Sequence, residues 1–197
     1  MVAAVVIWFI AASAIIYYVS ITSLVEFDPK MKLSEAIMSL SFEHELVSLL
    51  NSTKYNDASQ NDSSSPDISS QVQAKIYHFF QGDCYCERLA SAHQSRLTRW
   101  SSQEGFSNIN IDVKESRVLA KSIPSTPAVA VVNQQGELIY LGPYSRGAGC
   151  FADSGQIDDF LAAWIAQQNT GKSKQSAWQH SQNAIIDTDA KGCYCAT

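Results

Sequence analysis

The sequence predicts an α/β fold, a mixed β-sheet flanked by helices and preceded by an N-terminal transmembrane helix. Three observations carry that prediction. Residues 1–25 contain no charged side chain. The second half alternates β-branched runs with helical apolar stripes in the order β-α-β, hairpin, α, the pattern of a mixed sheet with helices on its faces. The tripeptide Cys-Tyr-Cys occurs twice, as Cys84-Tyr85-Cys86 behind the first strand of that series and as Cys193-Tyr194-Cys195 near the end of the chain.

With 197 residues the chain has room for one domain and some extensions. A net charge of −5 argues against nucleic acid as a partner, because a nucleic-acid binder needs a basic face. Five cysteines in a chain of this size point to redox or metal chemistry, and an odd number leaves at least one without an intrachain partner.

In chain order, residues 1–25 form a single apolar stretch that as a helix would span roughly 30 Å, about one bilayer core. Tyr17 and Tyr18 fall where an interfacial belt would sit. A cleavable signal peptide is the rival reading. Its best cleavage site, Ala12-Ser13-Ala14, lies inside the apolar run, which favours an uncleaved anchor. Lys30 and Lys32 are offset by Glu26, Asp28 and Glu35, so charge says little about orientation. The cysteines suit an oxidising compartment. The expected location is therefore the inner (cytoplasmic) membrane, single-pass, with the domain on the periplasmic side.

Residues 26–50 are expected to form an amphipathic helix on the domain. Asp28 caps it, Pro29 opens it, and Leu33, Ile37, Leu40, His44 and Val47 make its apolar face. Residues 51–70, with seven Ser, three Asn and three Asp, read as a linker or loop. The main domain is assigned to residues 71–168. It opens with a strand over residues 76–80 and a helix from Asp83, as N-cap, to about Trp100, with Leu89, His93 and Leu97 on one face. A half-buried strand at 109–113, a short turn or helix at 116–121 and an apolar strand at 128–132 follow. The strand returns over 137–142, and a helix capped by Ser154 and ended by Gly171 closes the series. Residues 169–197 read as a polar tail ending in the second Cys-Tyr-Cys, with Trp178, Ile185 and Ile186 as its apolar anchors.

The position of the first Cys-Tyr-Cys carries chemistry. A helix starting at Asp83 places both thiols in its first turn, where free N–H groups and the helix dipole favour thiolate, while Asp83 itself opposes it. The order of elements, the cysteines after the first strand and Thr126-Pro127 before the third resemble a thioredoxin-like domain over residues 73–168. That resemblance implies that Cys84 attacks and Cys86 resolves. It also implies that Pro127 is cis and faces them, and that Thr126 offers its backbone to substrate. The chain departs from the usual Cys-x-x-Cys by one spacer residue, and a Cys-x-Cys bridge closes a smaller ring. The anchor, the loop and the second motif place the resemblance in a membrane-anchored bacterial branch of the superfamily.

Three readings stay open. The first is a thiol–disulfide oxidoreductase acting on protein thiols or disulfides without a cofactor. In it Cys193 and Cys195 form a relay, and Cys150, in a glycine-rich loop beside Arg146, is a third redox thiol. The second is a copper(I) or zinc site held by Cys84, Cys86, Cys193 and Cys195, with soft thiolate ligands but unusual spacing for zinc. His78 and His93 read as packed or solvated rather than as ligands. The third is a non-catalytic module whose cysteines are structural, with a bridge from Cys193 or Cys195 to Cys150.

Overall fold

The apolar alternation of the second half does build one sheet. The computed structural model describes residues 2–22, 24–52, 73–147, 155–169 and 184–197. Its centre is a five-stranded mixed sheet of β2 (Lys75–Phe80), β3 (Ser107–Asp112), β5 (Ala128–Val132), β6 (Leu138–Pro143) and β7 (Ile185–Ile186), in the order β3-β2-β5-β6-β7. β2 runs parallel to β3 and antiparallel to β5. β5 and β6 form the hairpin, and β7 adds parallel to β6. The strands of the expected series fall within two residues of where the patterning put them, with β5 on the predicted residues. The sequence offers no comparable signal for β7. The end of the chain, read as a polar tail, supplies a strand of the sheet because Ile185 and Ile186 find the open edge of β6.

Alternation along the strands divides the core in two, since successive side chains point to opposite faces. Ile76, Val129, Val131 and Tyr140 meet α4 (Tyr85–Gln103) and α6 (Gln156–Asn169) through Leu97, Ile157 and Leu161. Tyr77, Phe79, Ala128 and Ala130 meet Leu33 of α2 (Lys32–Ala36), Leu46 and Leu50 of α3 (Phe42–Ser52) and Leu119 of α5 (Leu119–Ser122). The same cluster takes in Phe27 and Tyr194, one from each end of the described chain.

The single helix expected over residues 26–50 is two helices. Asp28 accepts from the Ser34 N–H and hydroxyl instead of capping a helix that starts at Pro29. The chain takes a left-handed turn at Met31 before α2 begins. A break between α2 and α3 then rotates the face, so that Phe42, Leu46, Val47 and Leu50 are buried while Leu40 and His44 are exposed. Periodicity alone misses such a break because both halves remain apolar in every third or fourth position. The start of α4 also differs. Cys84, in extended conformation, is the N-cap and Asp83 lies outside the helix, fully exposed. Its buried face runs Cys86, Ala90, His93, Leu97 and Ser101.

The first helix, α1 (Val2–Thr22), carries no acidic residue in its first turn and no basic residue in its last, and its large apolar side chains are exposed. Among the described residues, no helix is long and apolar enough to cross a membrane. Cys150, the cap at Ser154, Gly171, Trp178 and nearly all of the 51–70 stretch lie outside the described residues.

Candidate functional site

β2 delivers the chain to a turn at Gln81–Asp83, where Gly82 takes a positive φ of 84° that a side chain would strain. Cys84 follows as N-cap and Cys86 sits in the first turn of α4, both buried. Opposite them runs β4 (Ser125–Thr126), fully buried, followed by Pro127 through a cis peptide bond. The Cys84 sulfur lies 3.9 Å from the Thr126 carbonyl oxygen. The structure thus brings Cys84, Cys86, Thr126 and Pro127 together.

The tail cysteines complete the cluster. Cys84 is bonded to Cys195 and Cys86 to Cys193, so the two Cys-Tyr-Cys motifs are cross-linked antiparallel. Neither motif closes on itself, and neither tail cysteine pairs with Cys150. This corrects both the internal Cys84–Cys86 ring and the clasp to Cys150. The physical reason is the path of the tail. It bends at Cys193 between β8 and β9 and pairs with β4 from Cys195, which leaves both cysteines half-buried against Cys86 and Cys84 while Tyr194 is buried against Phe27. Equal spacing in the two motifs then matches sulfur to sulfur.

Backbone pairing fixes that register. β9 (Cys195–Ala196) runs antiparallel to β4, with Thr126 opposite Cys195 and Ser125 opposite Ala196. The Thr197 N–H donates to the Pro124 carbonyl at 3.0 Å, and its hydroxyl donates to the Ile123 carbonyl at 2.6 Å. The Gln81 amide donates to the Cys195 carbonyl. Tyr194 is buried, donates to the Ser145 carbonyl at 2.7 Å and meets Phe27 edge-on. Just upstream, β8 (Lys191–Gly192) pairs with β1 (Val25–Glu26).

Glu87 is a site residue that the sequence reading missed. Its Oε1 accepts from the Gln81 N–H at 2.8 Å and from the Thr126 hydroxyl at 2.6 Å, tying the cysteine turn to β4. The sequence signal for it is weak: Glu87 stands three residues after the N-cap, as a capping-box acid does, but it reaches past Cys84 to the Gln81 N–H. Behind it lies a buried polar group. Tyr144 bonds to His78 Nδ1, and His78 Nε2 meets Asn108 Oδ1 at 2.8 Å. Burial pushes His78 down to about 4, against a smaller opposing effect of Asn108. It is therefore neutral near pH 7. Because Nε2 faces an acceptor, Nε2 carries the proton and Nδ1 accepts from the Tyr144 hydroxyl. Burial, then the charges of Glu87 and Asp158, push that hydroxyl well above its ordinary value.

Two sequence candidates are otherwise engaged. His93 Nε2 lies 2.5 Å from Asp158 Oδ2, and Arg96 bonds to the other oxygen of that carboxylate. Burial raises Asp158, but the His93 bond, the Gly155 N–H and the neighbouring charges outweigh it and hold it low. Arg146 makes a two-pronged pair with the buried Asp187 at 2.7 and 3.1 Å, just after β7. It fastens the tail to the sheet. A surface hollow lined by Gly105, Gln134 and Trp164 lies past the C-terminal end of α4, the far end of that helix from the cysteines.

The sulfurs of Cys84, Cys86 and Cys195 all lie within 4.8 Å of one another. Such a cluster, beside a helix start, is compatible with redox chemistry or with metal binding. An α/β domain with a cross-linked sulfur cluster between a helix start and a separate two-stranded sheet is the class that fold and site define. The chain matches the family model described as a domain of unknown function, DUF6436, over residues 53–197, and belongs to that family. The matched stretch contains both Cys-Tyr-Cys motifs and β4. The comparison with curated proteins returned no match.

Proposed function

We propose that the protein is a membrane-anchored thiol–disulfide exchange protein of thioredoxin-like type, with Cys84 and Cys86 as its core sulfurs and protein thiols or disulfides as its substrates. One observation carries the reading: Cys84, the N-cap of a 19-residue helix, is held in a disulfide beside Thr126 and cis-Pro127. When that bond opens, Cys84 leaves as a thiolate facing the unpaired N–H groups of the first turn, with the positive end of the helix dipole behind it. A stabilised leaving group speeds exchange. The order β2-α4-β3 followed by β5-β6-α6, with the cis proline facing the cysteines, supports the thioredoxin-like assignment. The uncharged α1 supports an anchor of residues 1–25 in the lipid bilayer. Disulfides in turn support a periplasmic face of the inner membrane. Protease added to spheroplasts then digests the domain, and full protection would reverse that orientation.

The test is a redox titration of the full chain in detergent, with the bridges mapped by mass at each glutathione poise. Graded opening of Cys84–Cys195 in the folded protein supports exchange. Bridges that stay closed until the chain unfolds would make the cysteines purely structural.

The nearness of three sulfurs favours a second reading, a soft-metal site of Cys84, Cys86, Cys193 and Cys195 that forms once they are reduced. Titrating the reduced chain with copper(I) or zinc separates the two, since only this reading gives stoichiometric binding with thiolate-to-metal absorption for copper.

A further inference from the structure

Residues 190–197 form a strap between two distant parts of the chain. At one end the strap holds the segment that follows α1. β8 pairs antiparallel with β1, the Phe27 N–H donates to the Ala190 carbonyl at 2.8 Å, and the Lys191 ammonium lies 3.3 Å from the Glu26 carboxylate. The Gly147 N–H donates to the Lys191 carbonyl, and Tyr194 meets Phe27 edge-on. At the other end both disulfides and β9 fix the strap to the start of α4 and to β4. Upstream, β7 and the Arg146–Asp187 pair hold the chain on the central sheet independently of any sulfur. The strap therefore leaves a fixed point at Asp187 and is caught again by its cysteines. Its own pairings are weak: β1, β8 and β9 are two residues each, shorter than strands that persist without support from packing or covalent bonds. Val25 and Glu26 are exposed, so pairing with β8 rather than burial holds them to the domain.

We propose that the two disulfides are the catch of a redox-released strap. Closed, they hold the segment after α1 against the domain; opened by a dithiol, they let residues 188–197 go, and β1 loses its partner. The proposal rests on the exchange reading above, which supplies the opening of the bridges, and adds what that opening does. One thiolate of the dithiol attacks the Cys195 sulfur, the outer one of its pair, and Cys84 leaves as a thiolate. The dithiol's second thiolate then attacks the first, closes the reagent's own disulfide and expels Cys195. The same sequence at Cys193 frees Cys86 and then Cys193. Two dithiols become two disulfides, and four electrons with four protons pass to the chain. Both bridges fasten one strap, so either alone keeps it closed and release needs both. The consequence is a change of reach. α1 ends at Thr22 and β1 begins at Val25, three residues on and at most about 10 Å away. With β1 unpaired, the next point that the domain holds is the buried Phe27, five residues from Thr22 and at most about 17 Å away. Reduction thus opens the sulfur site and lengthens the tether to α1 in one event.

The test is amide hydrogen exchange of the full chain in detergent, oxidised and after reduction by a dithiol, with the bridges mapped by mass in parallel. The readouts are the Phe27 and Gly147 N–H groups, which both donate to the strap. Amides between β2 and β5 report that the central sheet stays folded. The expected result is exchange at Phe27 and Gly147 at least about tenfold faster once both bridges are open, the factor of one lost hydrogen bond, with the β2–β5 amides unchanged. A chain with Cys86→Ser and Cys193→Ser keeps both amides protected while Cys84–Cys195 is closed. A chain with Cys84, Cys86, Cys193 and Cys195 all replaced by Ser exchanges fast at both without reductant. Unchanged protection at Phe27 and Gly147 in a chain whose four thiols are free would overturn the strap while leaving exchange intact. Bridges that open only as the β2–β5 amides exchange would overturn the exchange reading and the release with it.

Discussion

At the scale of single residues, identical tripeptides do opposite things. In Cys84-Tyr85-Cys86 the sulfurs are buried and Tyr85 is exposed under the Arg88 guanidinium. In Cys193-Tyr194-Cys195 the tyrosine is buried and the sulfurs are the outer groups. A helix start and the bend that leads into β9 distribute the same three residues differently around the backbone. Tyr194 is the anchor of the second motif, and Gly192 makes room for it: a Cβ at 192 would lie 2.6 Å from the ring. The ring cannot move far, since its hydroxyl is bonded to Ser145 and its edge meets Phe27. Gly192→Ala should therefore destabilise the oxidised chain by about 1–3 kcal/mol, the usual cost of overpacking. Denaturant unfolding with the bridges intact measures it, and an unchanged midpoint would mean that Tyr194 is not the anchor.

At the scale of elements, the two disulfides act as one staple. Each joins positions more than a hundred residues apart, with separations of 111 and 107. Once either is closed, the other closes only the small ring between neighbouring motifs. Loop-closure entropy thus belongs almost wholly to whichever bridge remains. Replacing Cys86 and Cys193 by Ser, or Cys84 and Cys195 by Ser, should cost only about 2 kcal/mol, the entropy of closing a ring of a few residues. Replacing all four should cost about 6–7 kcal/mol on the same chain-entropy account. Additive losses from the two pairs would show that each bridge stabilises by its local contacts instead. β8 and β9 extend the same logic: within residues 190–197 the chain pairs with β1, next to α1, and with β4, next to the cysteines. The element that carries the tail sulfurs also ties the segment after α1 to the domain.

At the scale of the whole molecule, a polar cluster is buried between the sheet and α4, and it makes stability depend on pH. His78 is held near 4 in the folded chain and returns to about 6.5 when unfolded. A base whose folded value is depressed binds fewer protons folded than unfolded between those values. Its contribution is constant above about pH 6.5, falls as pH drops towards 4, and levels off below, a loss of about 3 kcal/mol across that window. Asp158, held below the ordinary carboxylate range, adds its own loss at still lower pH. Unfolding free energies measured from pH 7 to pH 4 should show this slope. In His78→Asn the slope between 6.5 and 4 should largely vanish, and a slope that survives there would place the proton uptake on another group.

The sequence by itself determined the elements whose signals are local. The β-branched run of β5, the alternation in β3, the hairpin at Asn133–Gly136 and the apolar stripe of α6 depend only on neighbours within a few residues. The pairing of Thr126-Pro127 with the first cysteine motif was legible through resemblance to a known arrangement. Tertiary structure alone decided what rests on contacts across the chain. The break between α2 and α3 follows from the face of the sheet that they cover. Arg146 found Asp187, and Glu87 found Thr126, because strands distant in sequence lie side by side. Above all, the sulfur pairing was hidden. Four cysteines in two equal motifs permit internal or crossed bridges, and spacing alone cannot choose between them. The choice falls to β9, a two-residue strand with no periodicity to announce it, whose register along β4 sets Cys195 beside Cys84.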